Sequence, residues 1–489
     1  MLKSSFWLLL LIILIGCSPE QPSSQLKQIY ARDSIRVGIL HGPTSYYVGV
    51  DGPIGFELEL SQALADKLGV QLELFPSYQL EDLLQKLATG KVDYIAGGLT
   101  LTEQRQAQFR ATPAYRWINE VLVFRQGETW PRSLSELTAP IVVKDSSHAE
   151  TLRQLQQENP DLVWQEEPIL DSDEILQQVI DGEVAYTITD SNQLALNRRF
   201  YPKLSLAMTV KDNLPVSWLL ADNNDDSLFT VLIEFFGNVY QNGNLIALED
   251  KYFGHVQEFD YVDTLAYIDA IEQTLPQYRP WFEHYSGELD WRLLAAVSYQ
   301  ESHWNPVAKS PTGVRGLMML TLPTAKQMGV TSRLDPEQSI RGGSRYLHRL
   351  FSRIPERIAM PDRLWFALAS YNIGWGHVED ARKLSQAMGA DPDKWLEVKP
   401  QLPLLRQRRY YQHTKYGFAR GDEAVTYVEN IRRYYDTLLW VDERQQAEQR
   451  IEQQKLRLSE QLDSVTLPPI TPEVEPESAL KPEPEHNNF

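Results

Sequence analysis

LDWRLLAAVSYQESHWNP, residues 289–306, reads as one helix with its own start and stop. Asp290 is placed to cap it, because the first backbone N–H groups of a helix lack partners and a short carboxylate can accept from them. A helix-forming run follows, in which Leu294, Val297 and Glu301 recur at helical spacing on one face. A carboxylate that continues an apolar stripe loses hydration, which disfavours its charged form and raises its pKa. The partial negative charge at a helix C-terminus acts in the same direction. A glutamic acid still protonated near neutral pH can give its proton to a leaving oxygen. The same spacing also fits an exposed glutamate at a helix end, and periodicity alone does not separate the two.

Outward from this helix, helical periodicity with short Gly- and Pro-bearing loops extends from Tyr261 to about Val441, which predicts an all-α domain. Residues 442–465 read as a highly charged, Gln-rich helix, and 466–489, rich in Pro and Glu, as a disordered tail. Towards the N-terminus the pattern changes. IRVGIL (35–40), VQLELF (70–75) and VDYIAG (92–97) alternate with helices near Phe56–Leu68 and Leu80–Ala88. PIVVKD (140–145), VAYTIT (184–189) and VSWLLA (216–221) open and continue a second series, closed by a helix near Leu228–Asn242. Such alternation predicts an α/β domain on parallel sheets over 31–257, with 258–275 as a linker and the helical domain over 276–441.

The bulk numbers agree with a multidomain globular chain: 489 residues, 43% apolar and 23% charged. A formal net charge of −19 and the lack of a basic patch argue against nucleic acid as a partner. Lys3 precedes an apolar run, Phe6–Ile15, too short for a typical membrane span, so residues 1–16 read as a secretory signal. Leu14-Ile15-Gly16-Cys17 resembles a bacterial lipobox, which implies removal of the signal and lipidation of Cys17, with Ser18 favouring the outer membrane. Cys17 is the only cysteine, so no disulfide can form within the chain. Residues 17–30 then read as a lipidated N-terminus and tether. The nine histidines show no ligand spacing, so neither a metal nor a cofactor is expected.

ESHWNPVAKSPTGVRGLMMLTLPTA (301–325) closely resembles the signature of the soluble lytic transglycosylases. LDPEQSIRGGSRYL (334–347), ALASYNIGWGHV (367–378) and EAVTYVENI (423–431) resemble further elements of that family in order. The resemblance implies a lysozyme-like α-helical fold and a catalytic Glu301 acting on peptidoglycan. Glu301 would protonate the oxygen between N-acetylmuramic acid and N-acetylglucosamine, then take the proton of the muramic 6-hydroxyl as that oxygen closes a 1,6-anhydro ring. No water is consumed, so the second carboxylate of ordinary glycosidases is not needed. By the same resemblance Ser310, Tyr371, Asn372 and Tyr427 line the site, Glu423 binds sugar or supports it, and Gly313 and Gly316 serve loop geometry. Met319 stands where the family commonly has Gln, so a substrate hydrogen bond is missing or comes from elsewhere. Tyr371 and Tyr427 also suit core positions, and Asn372 a helix cap.

Residues 31–255 resemble the family 3 periplasmic solute-binding proteins, through GPIGFELELSQALADKLGV (52–70), VDYIAGGLTLTEQRQAQFRATPAY (92–115) and VAYTITDSN (184–192). That implies two α/β lobes closing on an amino acid. Gly98, Thr100 and Arg105 would grip its α-carboxylate, for which a guanidinium fork is suited. Asp190 would meet the amino group, and Ser146 or Ser147 at a helix start would complete the carboxylate nest. Together the parts predict a two-lobed α/β binding-protein-like domain followed by an all-α lysozyme-like domain, on one lipoprotein. An amino acid or muropeptide would act as effector and peptidoglycan strands as substrate. Two rivals remain: a binding sensor whose helical domain is inert, and a lysozyme-type hydrolase.

Overall fold

The computed structural model describes residues 24–464 apart from 50–51, 138, 255–260 and 311–312. The signal peptide, Cys17 and the tail at 466–489 lie outside the described residues.

The N-terminal half is two α/β lobes. In the first, five strands run in the order Gln71–Ser77, Ser34–Leu40, Tyr94–Ala96, Leu219–Ala221, Phe109–Ala111. In the second the order is Leu204–Val216, Arg116–Arg125, Tyr186–Asp190, Ile141–Val143, Gln165–Glu167. The sheets are mixed rather than parallel. Leu219–Ala221 is antiparallel to both neighbours, and Arg116–Arg125 is antiparallel to Tyr186–Asp190 and Leu204–Val216. The reason is that the chain crosses between lobes twice, near 112–115 and 217–218, so each lobe receives a strand from the other's series. The crossings are tied together: Thr112 N–H donates to Trp218 O (3.0 Å), and Tyr115 N–H to Val216 O (3.1 Å). Fully buried Glu57 accepts from the Tyr115 hydroxyl and the Trp218 indole, so one carboxylate pins both crossings.

The first lobe begins earlier than the sequence reading placed it. Gln25–Arg32, assigned above to the tether, is a helix capped by Ser24. Ile29 is fully buried in the first-lobe core and Leu26 packs against it, so an apolar pair at i and i+3 docks this short segment.

Residues 258–275 are likewise no simple linker. Tyr261–Gln273 is a helix whose buried Tyr267 and Ile271, one turn apart, face the helical domain. Tyr267 stands 4.3 Å, ring to ring, from Tyr299 and 4.7 Å from Tyr434. Trp291–Ser302 packs against Arg279–Tyr285, and the start of Gly421–Ser464 reaches its end through Tyr427, while Pro336–Arg353, Asp362–Ile373 and Trp375–Ala387 pack in series beside them. Leu293 to Tyr299 are all buried, so Trp291–Ser302 is the central helix of this domain. Residues 441–489 form a separate unit, whose described part is a charged helix with Arg444 paired to Glu448 and with Ile451 and Leu456 exposed. Among the described residues no helix is long and apolar enough to cross a membrane.

Candidate active site

Asp290 caps the central helix as expected, accepting from Arg292 N–H at 2.9 Å. The helix stops at His303 and Trp304, both with positive φ (50° and 55°). Left-handed backbone costs a non-glycine residue about 1–2 kcal/mol, and here Trp304 offsets it by burying its ring and donating its indole N–H to Ala295 O (3.0 Å). His303 is the exposed cap. The abrupt stop leaves Glu301 in the last turn, partly buried, at the edge of the domain's interior.

The Tyr427 hydroxyl donates to Glu301 Oε1 at 2.6 Å. Tyr371 and Tyr346 belong to the same cluster, with ring centroids 5.2 Å apart. Burial pushes the Glu301 carboxyl up to about 7, against the opposing effect of the Tyr427 hydrogen bond. Burial and the charge of Glu301 raise both Tyr371 and Tyr427, so these phenols stay neutral donors. The site is thus one titratable acid among neutral hydroxyls, and no second carboxylate contributes to the shift of Glu301.

A tight turn, Gly316–Met319, closed by Met319 N–H donating to Gly316 O (3.0 Å), packs against the end of the central helix. It is clamped from three helices. Ser302 and Ser298 donate their hydroxyls to Leu317 O (2.9 and 3.2 Å), Tyr371 donates to Met318 O (3.0 Å), and Met318 N–H donates to the Ser339 hydroxyl (3.1 Å). Two glycines permit the approach. A Cβ on Gly316 would lie 1.7 Å from Arg333 O, and one on Gly343 would lie 2.5 Å from the Met318 side chain. Met319, the departure from the family pattern, has φ 43° and is partly exposed at the end of this turn. Ser298, Ser302 and Ser339 were not assigned roles from sequence. Their signal was available only as serines in helices, whose hydroxyls can bond a neighbouring carbonyl.

The other expected site residues fall as follows. Ser310 is half-buried in the loop between Glu301 and the turn, its N–H donating to Val314 O (3.1 Å). Asn372 is exposed in the last turn of Asp362–Ile373, next to Tyr371. Glu423 is exposed and pairs with Arg420 (3.2 Å), one helical turn before Tyr427 on the same helix.

In the N-terminal domain, Gly98 (φ 63°) and buried Thr100 and Arg105 lie together in the first lobe, where the Arg105 guanidinium donates to Thr100 O at 2.6 Å. Arg105 also feels the charges of Glu150, Asp190 and Glu120 from the second lobe. Asp190 ends strand Tyr186–Asp190, and its Oδ1 is 3.0 Å from His148 Nε2. Ser146 does not present a free hydroxyl. It caps its own helix by accepting from Ala149 N–H (3.2 Å) and donates to Val143 O (2.6 Å).

Comparison with known proteins follows this division. Residues 282–394 match the Transglycosylase SLT domain, and residues 35–255 match the bacterial extracellular solute-binding proteins, family 3. The membrane-bound lytic murein transglycosylase F of Pseudoalteromonas translucida is 53% identical over 444 residues, which are 91% of this chain and 94% of that protein. The relative of the same name from Idiomarina loihiensis is 52% identical over 445 residues, covering 90% of this chain and 98% of its own. That from Vibrio cholerae is 49% identical over 451 residues, covering 89% and 85%. With half of its residues shared along nearly its whole length, the chain belongs to the membrane-bound lytic murein transglycosylase F family.

Proposed function

We propose that Glu301 is the sole acid and base by which this peptidoglycan lytic transglycosylase cuts its substrate. The observation that carries this reading is a carboxyl group pushed up to about 7 by burial, held by one phenol and shifted by no second acid. Protonated Glu301 gives its proton to the glycosidic oxygen between N-acetylmuramic acid and N-acetylglucosamine. The resulting carboxylate takes the proton of the muramic 6-hydroxyl, whose oxygen closes on C1 and leaves a 1,6-anhydro end. Tyr427 steadies the carboxylate between the two transfers, because its hydrogen bond favours the charged form. Ser310, Tyr371 and Asn372 line the sugar site, with Met319 at its wall and Glu423 at its rim.

A lysozyme-type hydrolase would place a second carboxylate about 5–9.5 Å from the first, and the charges acting on Glu301 give that reading no support. The test is mutational: Glu301→Gln should abolish release of anhydro-muropeptides from sacculi while the protein stays folded. Full activity in that variant would remove the proposal.

The N-terminal domain, on this reading, takes a ligand that bears a carboxylate and controls the catalytic half. The supporting contacts run along the helix that carries Tyr427. Arg432 donates to Asp250 Oδ2 (2.9 Å), Asp436 accepts from Arg199 (2.6 Å), and Trp440 stacks on Phe200 with centroids 4.7 Å apart. Closure of the lobes would therefore act on the helix that positions Glu301, provided the ligand prefers one conformation. If no amino acid or stem peptide changes activity, control by ligand is refuted. Lipidation of Cys17 would hold the enzyme on the periplasmic face of the outer membrane, and Cys17→Ala should release it to the soluble fraction.

A further inference from the structure

The second lobe brings together three donors, of which the amino-acid-binding reading accounts only for Asp190. Glu120 lies within strand Arg116–Arg125, Asp190 ends the neighbouring antiparallel strand, and the two are direct cross-strand partners. Like charges directly opposite on a ladder repel. His148, in the first turn of helix Ser147–Glu158, completes the group: one donor atom from each of the three lies within 4.8 Å of the others. Glu120 is fully buried, and neither of its carboxylate oxygens has a hydrogen-bond partner. A buried carboxylate left without hydrogen bonds costs several kcal/mol. The nearby cations do not bond it. His148 is directed at Asp190, the Arg105 guanidinium at Thr100 O, and Lys211, opposite Glu120 on its other neighbouring strand, at Gln154 Oε1.

We propose that Glu120, His148 and Asp190 form a binding site for a divalent transition-metal cation of the zinc class. One imidazole and two carboxylates are donors such ions accept, and three protein ligands leave a position open for a further oxygen. Bonds of about 2.0–2.2 Å set neighbouring ligands roughly 3.3 Å apart. His148 and Asp190 already stand 3.0 Å apart, so the Glu120 carboxylate has only to rotate inward. A dication between the opposed carboxylates removes their repulsion and gives Glu120 the partner it lacks. No histidine spacing in the sequence could reveal the site, because its ligands lie 28 and 42 residues apart and meet through strand pairing.

The test uses the mature full chain without an affinity tag, stripped with chelator and titrated with Zn2+, Mn2+ or Co2+. Equilibrium dialysis with elemental analysis should find one Zn2+ per chain, with a rise in Tm and a visible d–d band for Co2+. Glu120→Gln and His148→Gln should each weaken Zn2+ at least a hundredfold, with the metal-free variants still showing a cooperative melting transition. Wild type binding less than a tenth of an equivalent would overturn the proposal. So would unchanged Zn2+ affinity in both variants, which would make the cluster an ionic network only. If one variant fails to fold, the other still decides.

Discussion

The two clefts of this molecule handle buried charge in opposite ways. Around Glu301 the neighbours are phenols and backbone, so nothing favours the carboxylate except one hydrogen bond, and the carboxyl rises to about 7. In the N-terminal cleft Arg105, His148, Glu120 and Asp190 are gathered at close quarters, with positive and negative groups opposed. A group that must give up and recover a proton needs a site poor in charge. A cleft that must recognise an ion needs charges in place beforehand, at the expense of stability if any one is removed. The difference predicts opposite responses to neutralising substitutions.

The largest effect expected is on catalysis. Glu301→Gln removes the proton donor, and activity on sacculi should fall roughly a hundred- to ten-thousandfold, the usual contribution of acid–base catalysis, with circular dichroism unchanged. Retained activity would break the contrast on its catalytic side. Next comes Arg105→Leu. Removing one partner from a buried charge group commonly costs about 3–5 kcal/mol, so Tm should fall clearly, and an unchanged Tm would show that the cleft charges are not coupled.

Third is the pH dependence. Because Glu301 must start protonated, kcat/KM should decline as pH rises through about 7. The same shift affects stability. The folded-state pKa lies above the ordinary carboxylate value of about 4.3, so the folded chain holds more protons than the unfolded one between these values. Stability is therefore greatest below about pH 4.3 for this group and is lost as pH rises through 7, by up to about 4 kcal/mol. Glu301→Gln should be more stable than wild type at pH 8, opposite in sign to Arg105→Leu, as read by urea denaturation. Tyr427→Phe sharpens the point: without the bond that favours the carboxylate, the alkaline limb of the profile should move to higher pH and the rate should fall about tenfold. Smallest is Ser302→Ala, which leaves Leu317 O one donor fewer and should cost about 1 kcal/mol in stability.

What was legible in the sequence follows the same physics. The central helix and its Asp290 cap could be read because caps and 3.6-residue periodicity are local signals, whereas the burial of Glu301 could not, since the same spacing fits an exposed helix end. Family resemblance placed Tyr427 only among the residues lining the site; its 2.6 Å hydrogen bond to Glu301 had no signal in the sequence. The serine clamps on the Gly316–Met319 turn left no trace, since a hydroxyl bonding a distant carbonyl has no periodicity. Strand Leu204–Val216 escaped notice because three register shifts break its alternation. Helix Tyr261–Gln273 was legible by periodicity but assigned to the linker, although its buried Tyr267 and Ile271 tie it to the helical domain. The helix start at Ser146 was legible as an N-cap signal, and its hydroxyl accepts from Ala149 N–H there.

The central claim is that one carboxyl group does both proton transfers without water. Mass spectrometry of the fragments released from purified sacculi tests it most directly. Expected are muropeptides ending in 1,6-anhydromuramic acid, each lighter by one water than the hydrolytic product, with release by Glu301→Gln lower by about a hundredfold or more. Reducing-end products from the wild type, or anhydro products undiminished in the variant, would contradict it.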